Sequence, residues 1–80
     1  MEFQQLTTFA KAAELLSFSK TADKLGYSQA AVTIQIKQLE AELGVKLFDR
    51  IGKKVTLTNE GITLQKYALN ILATMNFLIC

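Results

Sequence analysis

The side chains of this 80-residue chain whose types and spacing best suit chemistry lie on one side of a predicted helix. Gln29, Thr33 and Lys37 are four residues apart and share a face at about 100° per residue, with Ala30 and Ile34 beside them. An amide can pair bidentately with adenine, a hydroxyl can bond to a base edge, and an aliphatic group can contact a thymine methyl. This face therefore has the chemistry needed to read a nucleic acid.

Basic residues are concentrated in the middle of the chain. Nine Lys and Arg stand against seven Asp and Glu overall, for a net charge of only +2. Between Lys20 and Lys54, seven basic residues stand against four acidic ones, and the positive charge is densest at Lys53 and Lys54. This distribution is compatible with a polyanionic partner.

Catalytic and metal-binding groups are scarce. The chain has no histidine, which is the usual general base near neutral pH and the commonest metal ligand, and its single cysteine is Cys80. One thiol can form neither an internal disulfide nor a multi-cysteine zinc site. We therefore expect no catalytic residue, no metal and no cofactor, and a binding module rather than an enzyme.

Helical patterns must position the reading face. Apolar residues recur at steps of three and four over residues 3–16, which predicts a first helix. Ser19 is expected to cap a short second helix over residues 20–25, which Gly26 ends. Ser28 is expected to cap a third helix over residues 29–43, ended by Gly44. Its inward seam is predicted to be Val32, Ile36, Leu39 and Leu43.

A change of period follows the third helix. The runs at residues 47–49 and 55–57 favour β-strands, and the basic tip between them contains Gly52. Thr58 is expected to cap a fourth helix that begins at Asn59. The order of elements predicts a mainly α fold, a winged helix-turn-helix with a three-helix core and a two-stranded wing, plus a C-terminal linker and dimerisation helix.

Longer runs of residues resemble a known family. They are FSKTADKL from Phe18, YSQAAVT from Tyr27, QIKQLE from Gln35, and ELGV with LFDR, then Leu57 and Thr58 ahead of Gly61. In order and spacing they are similar to the amino-terminal DNA-binding domain of LysR-type transcriptional regulators, over about the whole chain. The resemblance implies a winged helix-turn-helix domain over residues 1–58, with the helix-turn-helix at about 18–37 and the wing at about 46–57. It also implies a linker helix over residues 59–80 that pairs two subunits, and an effector-binding domain that this chain lacks.

The same resemblance assigns base-reading residues at the start of the third helix, namely Ser28, Gln29, Ala30, Thr33 and Ile34. Two of them depart from the family's pattern. Ala30 stands where proline is frequent, and Ile34 stands where arginine is common. Because an arginine contact to guanine or phosphate is then missing, we expect Ile34 to contact thymine methyls and the operator preference to differ.

Further positions are expected to contact phosphates or the minor groove without reading sequence. Ser19, Lys20 and Lys37 would contact phosphates, and Arg50, Lys53 and Lys54 would place the wing on flanking DNA. Other interpretations stay open at this point. Lys20 and the tip lysines would also serve as solvated surface charges, Arg50 could pair with Asp49, and Ile34 could be an ordinary exposed aliphatic residue.

Two apolar stripes run along the last helix. The first repeats in steps of four and three, which is typical of a helix that pairs with another helix, and is assigned to dimerisation: Leu64, Ala68, Ile71, Met75 and Leu78. The second stripe, on a different side, consists of Ile62, Leu69, Leu72 and Ile79. A single wide face packed on the domain's own core is the alternative.

No targeting or membrane segment is predicted. The amino terminus is acidic where a secretory signal would be basic. Residues 62–80 hold 13 apolar residues in 19, but Lys66 and several amides interrupt them. We expect a cytoplasmic protein without membrane contact.

The sequence thus predicts a sequence-specific binder of double-stranded DNA, from a bacterial LysR-type regulator. It would bind an inverted-repeat operator as a homodimer, with dimer or tetramer left open at full length. A small-molecule effector would act only through the missing domain. The alternative is a winged-helix module for protein contact, whose binding would depend little on salt.

Overall fold

The elements of the fold follow the predicted order. The computed structural model describes residues 2–52 and 54–79, with side chains described as far as residue 74. It contains helices α1 (Phe3–Leu15), α2 (Phe18–Leu25) and α3 (Gln29–Leu43), strands β1 (Phe48–Ile51) and β2 (Lys54–Leu57), and helix α4 (Asn59–Ile79). The predicted fold class is confirmed, because α2 and α3 form the helix-turn-helix and the β1–β2 hairpin forms the wing.

Local signals set both ends of α3. The Ser28 hydroxyl accepts a hydrogen bond from the Ala31 N–H at 3.1 Å, as an N-cap residue does. Gly44 follows the helix with a φ of 72°, a left-handed conformation that glycine adopts without a Cβ clash, and its N–H donates to the Glu40 carbonyl at 2.8 Å. Both predicted boundaries are therefore confirmed.

The start of α2 differs from the prediction. Ser17, and not Ser19, caps this helix, since its hydroxyl accepts a hydrogen bond from the Lys20 N–H at 3.2 Å. Ser19 lies within the first turn instead. The helix begins early because Phe18 is buried and packs edge-on against Phe48, with ring centroids 5.3 Å apart.

The core lies where α1, α2 and α3 meet the start of the wing. The predicted stripes are buried in their middles and exposed at their ends: Phe3, Leu16 and Leu43 are all exposed. The inward position predicted for Leu43 is wrong, with 40% of its surface accessible, because the last turn of α3 borders an open groove shared with Val45 and Tyr67. The largest fully buried apolar side chains are Phe9, Ile36, Leu39, Leu47 and Val32.

The wing is an antiparallel hairpin anchored by one aromatic residue. Phe48 pairs with Leu57 in register, and Ile51 pairs with Lys54 at the tip. The Phe48 ring packs against Phe9 at 5.5 Å between centroids, which fixes the base of the wing to α1. Leu47 precedes the strand rather than belonging to it.

Helix α4 begins at the predicted cap and packs on α1 and β2. The Gly61 N–H donates to the Thr58 hydroxyl at 3.0 Å. Gly61 itself, unfavourable in a helix, is explained by close packing, since a Cβ there would overlap the carbonyl oxygen of Leu47. Among the helices that the structure describes, none has a stretch long and apolar enough to cross a membrane.

Candidate nucleic-acid interface

One face of α3 is open to solvent along its amino-terminal half. Gln29, Ala30, Ile34 and Lys37 are exposed, Ile34 with 54% of its surface accessible, and Thr33 is half-buried between them. The opposite side of the helix is buried in the core, so this face cannot turn inward. The structure therefore brings the predicted reading residues together on one surface, and their contact with DNA stays a prediction.

Polar contacts from α1 hold α3 in this orientation. The buried Thr8 hydroxyl donates to Gln35 Oε1 at 2.7 Å, and Gln5 Nε2 donates to Gln38 Oε1 at 3.3 Å. A buried hydrogen bond specifies the rotation of a helix more narrowly than apolar packing does, because its geometry is directional. This pair was not predicted from the sequence, since Thr8 and Gln35 lie 27 positions apart.

The amino terminus of α3 is suited to an anion. The first turn contains no acidic residue, and the amides of Gln29 and Ala30 at this end have no partner within the helix. The helix dipole places partial positive charge there. The Thr33 hydroxyl donates to the Gln29 carbonyl at 3.1 Å, which leaves its methyl group and an oxygen lone pair for an outside contact.

Arg50 lies where the wing meets the helix-turn-helix. Its guanidinium sits over the Phe18 ring, 5.6 Å from the centroid, which is a cation–π geometry. Within the described residues no ion pair joins Arg50 to Asp49, so the local ion pair weighed from the sequence is not seen. The stacking restrains the side chain while leaving it exposed.

Two open grooves meet at Arg50 and carry most of the predicted phosphate contacts. One, of about 580 Å³, runs between α3 and the wing and includes Thr33, Lys37 and Lys46. The other, of about 380 Å³, runs between α2 and the wing and is lined by residues that include Ser19, Lys20 and Gln29. Lys46 was not predicted as a contact, although its place in the sequence between the reading helix and the wing indicated one.

The remaining predicted contacts lie at the edges of this surface. Ser28 is exposed and serves as the cap of α3. Lys54 is exposed at the start of β2. Lys53, which the sequence predicts at the tip of the wing, lies outside the described residues.

The domain's own core covers the strip of α4 where the two predicted stripes meet. Ala68, from the first stripe, has no accessible surface, and Leu64 and Leu72 are half-buried against the core. The exposed large apolar residues described in α4 lie on the two flanks of this strip: Ile62, Tyr67, Leu69 and Ile71.

The assignment of Ala68 to a dimer contact is therefore wrong, because a side chain without accessible surface cannot touch a partner. Leu64 is half-buried against the same core, which leaves only part of its side chain for a partner. The apolar stripe read from spacing was partly the seam against α1, which has the same helical period. The side chains of Met75, Leu78 and Ile79 lie outside the described residues.

Residues 3–62 match the family described as bacterial regulatory helix-turn-helix protein, lysR family. Two curated relatives come from Bacillus subtilis (strain 168). The chain is 51% identical over 73 residues to the uncharacterized HTH-type transcriptional regulator YwqM, covering 91% of this chain and 25% of that protein. It is 49% identical over 72 residues to the HTH-type transcriptional regulator CitR, covering 90% of this chain and 25% of that protein. The chain thus spans about a quarter of the length of these relatives.

Solved structures with the same fold include two DNA complexes. The BenM DNA-binding domain bound to catB site 1 DNA superposes with a TM-score of 0.94 at 37% identity, covering 99% of this chain and 88% of that one. The CbnR DNA-binding domain in its DNA complex gives a TM-score of 0.89 at 37% identity, covering 95% of this chain and 87% of that one.

Proposed function

The chain belongs to the lysR family of bacterial regulatory helix-turn-helix proteins, and from this premise we propose that it binds double-stranded DNA with sequence specificity. The family resemblance predicted from the sequence is confirmed. In the proposed complex α3 lies in the major groove and the wing lies on flanking DNA. The proposed activity of the domain is DNA binding, without a chemical reaction.

The observation that carries this proposal is the exposed face of α3 beside Arg50. A reading helix must present small or polar side chains to the groove while its other side packs in the core. The face has Ala30 and Ile34 exposed, and Val32 and Ile36 lie buried behind it. Related domains of known structure are bound to DNA, as in the BenM complex with catB site 1.

We assign base reading to the first half of α3. Gln29 offers an amide for adenine, and Ala30 and Ile34 offer apolar surface to thymine methyls. The Thr33 hydroxyl already donates to the backbone, so its expected contribution is a methyl contact or an accepted hydrogen bond. A thymine-rich half-site fits this set of side chains better than a guanine-rich one.

Phosphate contacts would surround the reading helix on both sides. Lys37 and Lys46 border the groove between α3 and the wing, and Ser19 and Lys20 border the groove at α2. Arg50 stands between the two grooves, and Lys53 and Lys54 would extend the contact along the wing. Such contacts fix the domain on the duplex without reading sequence.

We further propose that two copies pair through α4 and bind an inverted repeat. The exposed apolar flanks of α4 are the surfaces left for a partner: Ile62, Tyr67, Leu69 and Ile71. Met75 and Leu78, which follow in the sequence, stay predicted dimer contacts. Two α3 helices would then enter major grooves about one helical turn apart. Residues 59–80 would form the linker helix of a longer cytoplasmic regulator, whose effector-binding domain responds to a small molecule.

Binding to labelled duplexes as salt rises separates this proposal from a protein-contact role. A DNA binder that neutralises six to ten phosphates loses about 10³- to 10⁵-fold in affinity between 50 and 200 mM salt. At one fixed salt concentration, unlabelled duplexes of different sequence should compete unequally with the wild-type chain.

With a Thr33→Ala variant, the unlabelled duplexes should compete more equally, and the affinity should keep the same dependence on salt. Affinity that is insensitive to salt would contradict DNA binding. Equal competition by all duplexes would contradict the proposed base reading but not DNA binding itself.

A further inference from the structure

The backbone N–H and carbonyl groups of Leu47 lie at the junction of α3, the wing and α4. On the α3 side, the Leu47 N–H donates to Glu40 Oε2 at 2.7 Å, and the Phe48 N–H reaches the same oxygen at 3.4 Å. The Leu47 side chain is buried in the core. A carboxylate near the end of the reading helix therefore holds the backbone that leads into the wing.

On the other side, the same segment is tied to the start of α4. The Leu47 carbonyl accepts a hydrogen bond from the Thr58 N–H at 3.0 Å, and the Thr58 hydroxyl donates to the Lys46 carbonyl at 2.6 Å. That hydroxyl also accepts from the Gly61 N–H at 3.0 Å. Thr58 thus caps α4 and binds it to the segment that Glu40 holds.

Gly61 closes this junction by close approach. A Cβ at this position would overlap the Leu47 carbonyl oxygen and come within 3.0 Å of Leu57 Cδ2. The first turn of α4 can therefore approach Leu47 this closely only without a side chain. Glycine costs helix propensity at this position, and the absence of a Cβ is what permits the close approach.

We propose that the Leu47 backbone, held between Glu40 and Thr58 and covered by Gly61, is a positioning element that, together with the packing of α4 on α1, fixes the angle between α3 and α4. This inference rests on the proposed pairing through α4, since that angle then sets the half-site spacing that a dimer reads. Helix α4 has 21 residues, which corresponds to a length of about 31 Å. A tilt of about 6° at its start moves its far end by about 3 Å, close to the 3.4 Å rise of one base pair.

The first test measures which half-site spacing the chain prefers. Dissociation constants are measured on inverted-repeat duplexes that differ only by one base pair inserted or deleted between the half-sites. Gly61→Ala and Glu40→Met should shift the preferred spacing by one base pair or flatten the preference. Glu40→Gln keeps an acceptor oxygen and should retain the wild-type preference. Thr63→Ala is the matched control, because it removes a local hydrogen bond to the Asn59 carbonyl in the same part of α4 and none of the hydrogen bonds of Leu47.

A uniform loss of affinity with an unchanged preferred spacing would overturn the inference, because that is the behaviour of a merely structural contact. A wild-type chain that binds DNA without any spacing preference would instead refute the dimer arrangement. The two failures are therefore distinguishable. If Gly61→Ala does not fold, Thr58→Val replaces it, since valine keeps the N–H bond to Leu47 and loses only the hydroxyl links.

A second measurement needs no DNA. Spin labels at Ala41→Cys on α3 and Asn70→Cys on α4, both exposed positions, report the distance between the two helices once Cys80 is replaced by serine. Mixed with an excess of unlabelled chain, so that a dimer carries at most one labelled copy, the parent chain should give one narrow distance distribution, and Gly61→Ala should shift or broaden it. An unchanged narrow distribution in a folded Gly61→Ala chain would overturn the inference whatever happens to DNA binding.

Discussion

Ile34 gives the sharpest test of the reading face. Its side chain projects from α3 with 54% of its surface exposed, and full burial of an isoleucine contributes about 1.5–3 kcal/mol. If a thymine methyl covers the exposed part, Ile34→Ala costs about 0.8–1.6 kcal/mol per contacted half-site. That loss raises Kd by about 4- to 15-fold.

The assay is a double-mutant cycle with one partner in the DNA. Uracil lacks only the C5 methyl of thymine, so each thymine of a bound half-site is replaced in turn and Kd is measured by fluorescence anisotropy. Uracil at the contacted thymine in both half-sites should weaken the wild-type chain by about the same factor as Ile34→Ala, which alters both copies of the dimer, and should have little further effect on the Ile34→Ala variant. Val45→Ala is the control, because Val45 is an exposed aliphatic residue outside the reading face.

Two results would refute this reasoning. If uracil at every thymine leaves the wild-type Kd unchanged, Ile34 contacts no thymine methyl. If uracil weakens the wild-type and Ile34→Ala chains equally, the methyl is read by another side chain. A loss in Val45→Ala as large as in Ile34→Ala would point to destabilisation rather than to a lost contact.

Four other substitutions test the phosphate contacts, the packing of α1 on α3 and the cap of α2. Lys37→Ala should weaken all duplexes similarly and lower the salt slope by about one, as salt titrations would show; a sequence-dependent loss would place Lys37 on a base. Thr8→Val should lower the free energy of unfolding in urea by about 1–3 kcal/mol, because it leaves the part-buried Gln35 amide oxygen without its donor; an unchanged midpoint would mean that water replaces the bond. Ser17→Ala should cost about 1 kcal/mol and Ser19→Ala much less, and the reverse order in thermal unfolding would move the cap of α2 to Ser19.

The parts of the fold that could be predicted are those set by short-range signals. The α3 helix lies between Ser28 and Gly44 because a hydroxyl cap and a left-handed glycine act within a few residues. Its exposed face follows from the same helical period that buries Val32 and Ile36. The reading residues could be grouped for this reason before any tertiary contact was known.

The features that escaped prediction depend on contacts between distant segments. Because Phe18 packs on Phe48, α2 begins earlier than a cap at Ser19 predicts. The Thr8 hydroxyl donates a hydrogen bond to Gln35, which lies 27 positions further along the sequence. No local pattern encodes such a pair.

The apolar spacing of α4 could not separate the seam on α1 from a surface for a partner. A helix that packs on its own domain and one that pairs with a second copy share the same period. Only the burial of Ala68 distinguishes them here. Gly61 likewise had no local explanation, because the carbonyl that excludes a Cβ comes from Leu47 in the segment before the wing.

Selection of bound duplexes from a random pool at near-physiological salt, followed by sequencing, tests the central claim most directly. We expect an enriched inverted repeat whose thymine-rich half-sites lie about one helical turn apart, read by two α3 helices. Salt-sensitive binding without any enriched sequence would contradict it, because the chain would then hold DNA through phosphates alone.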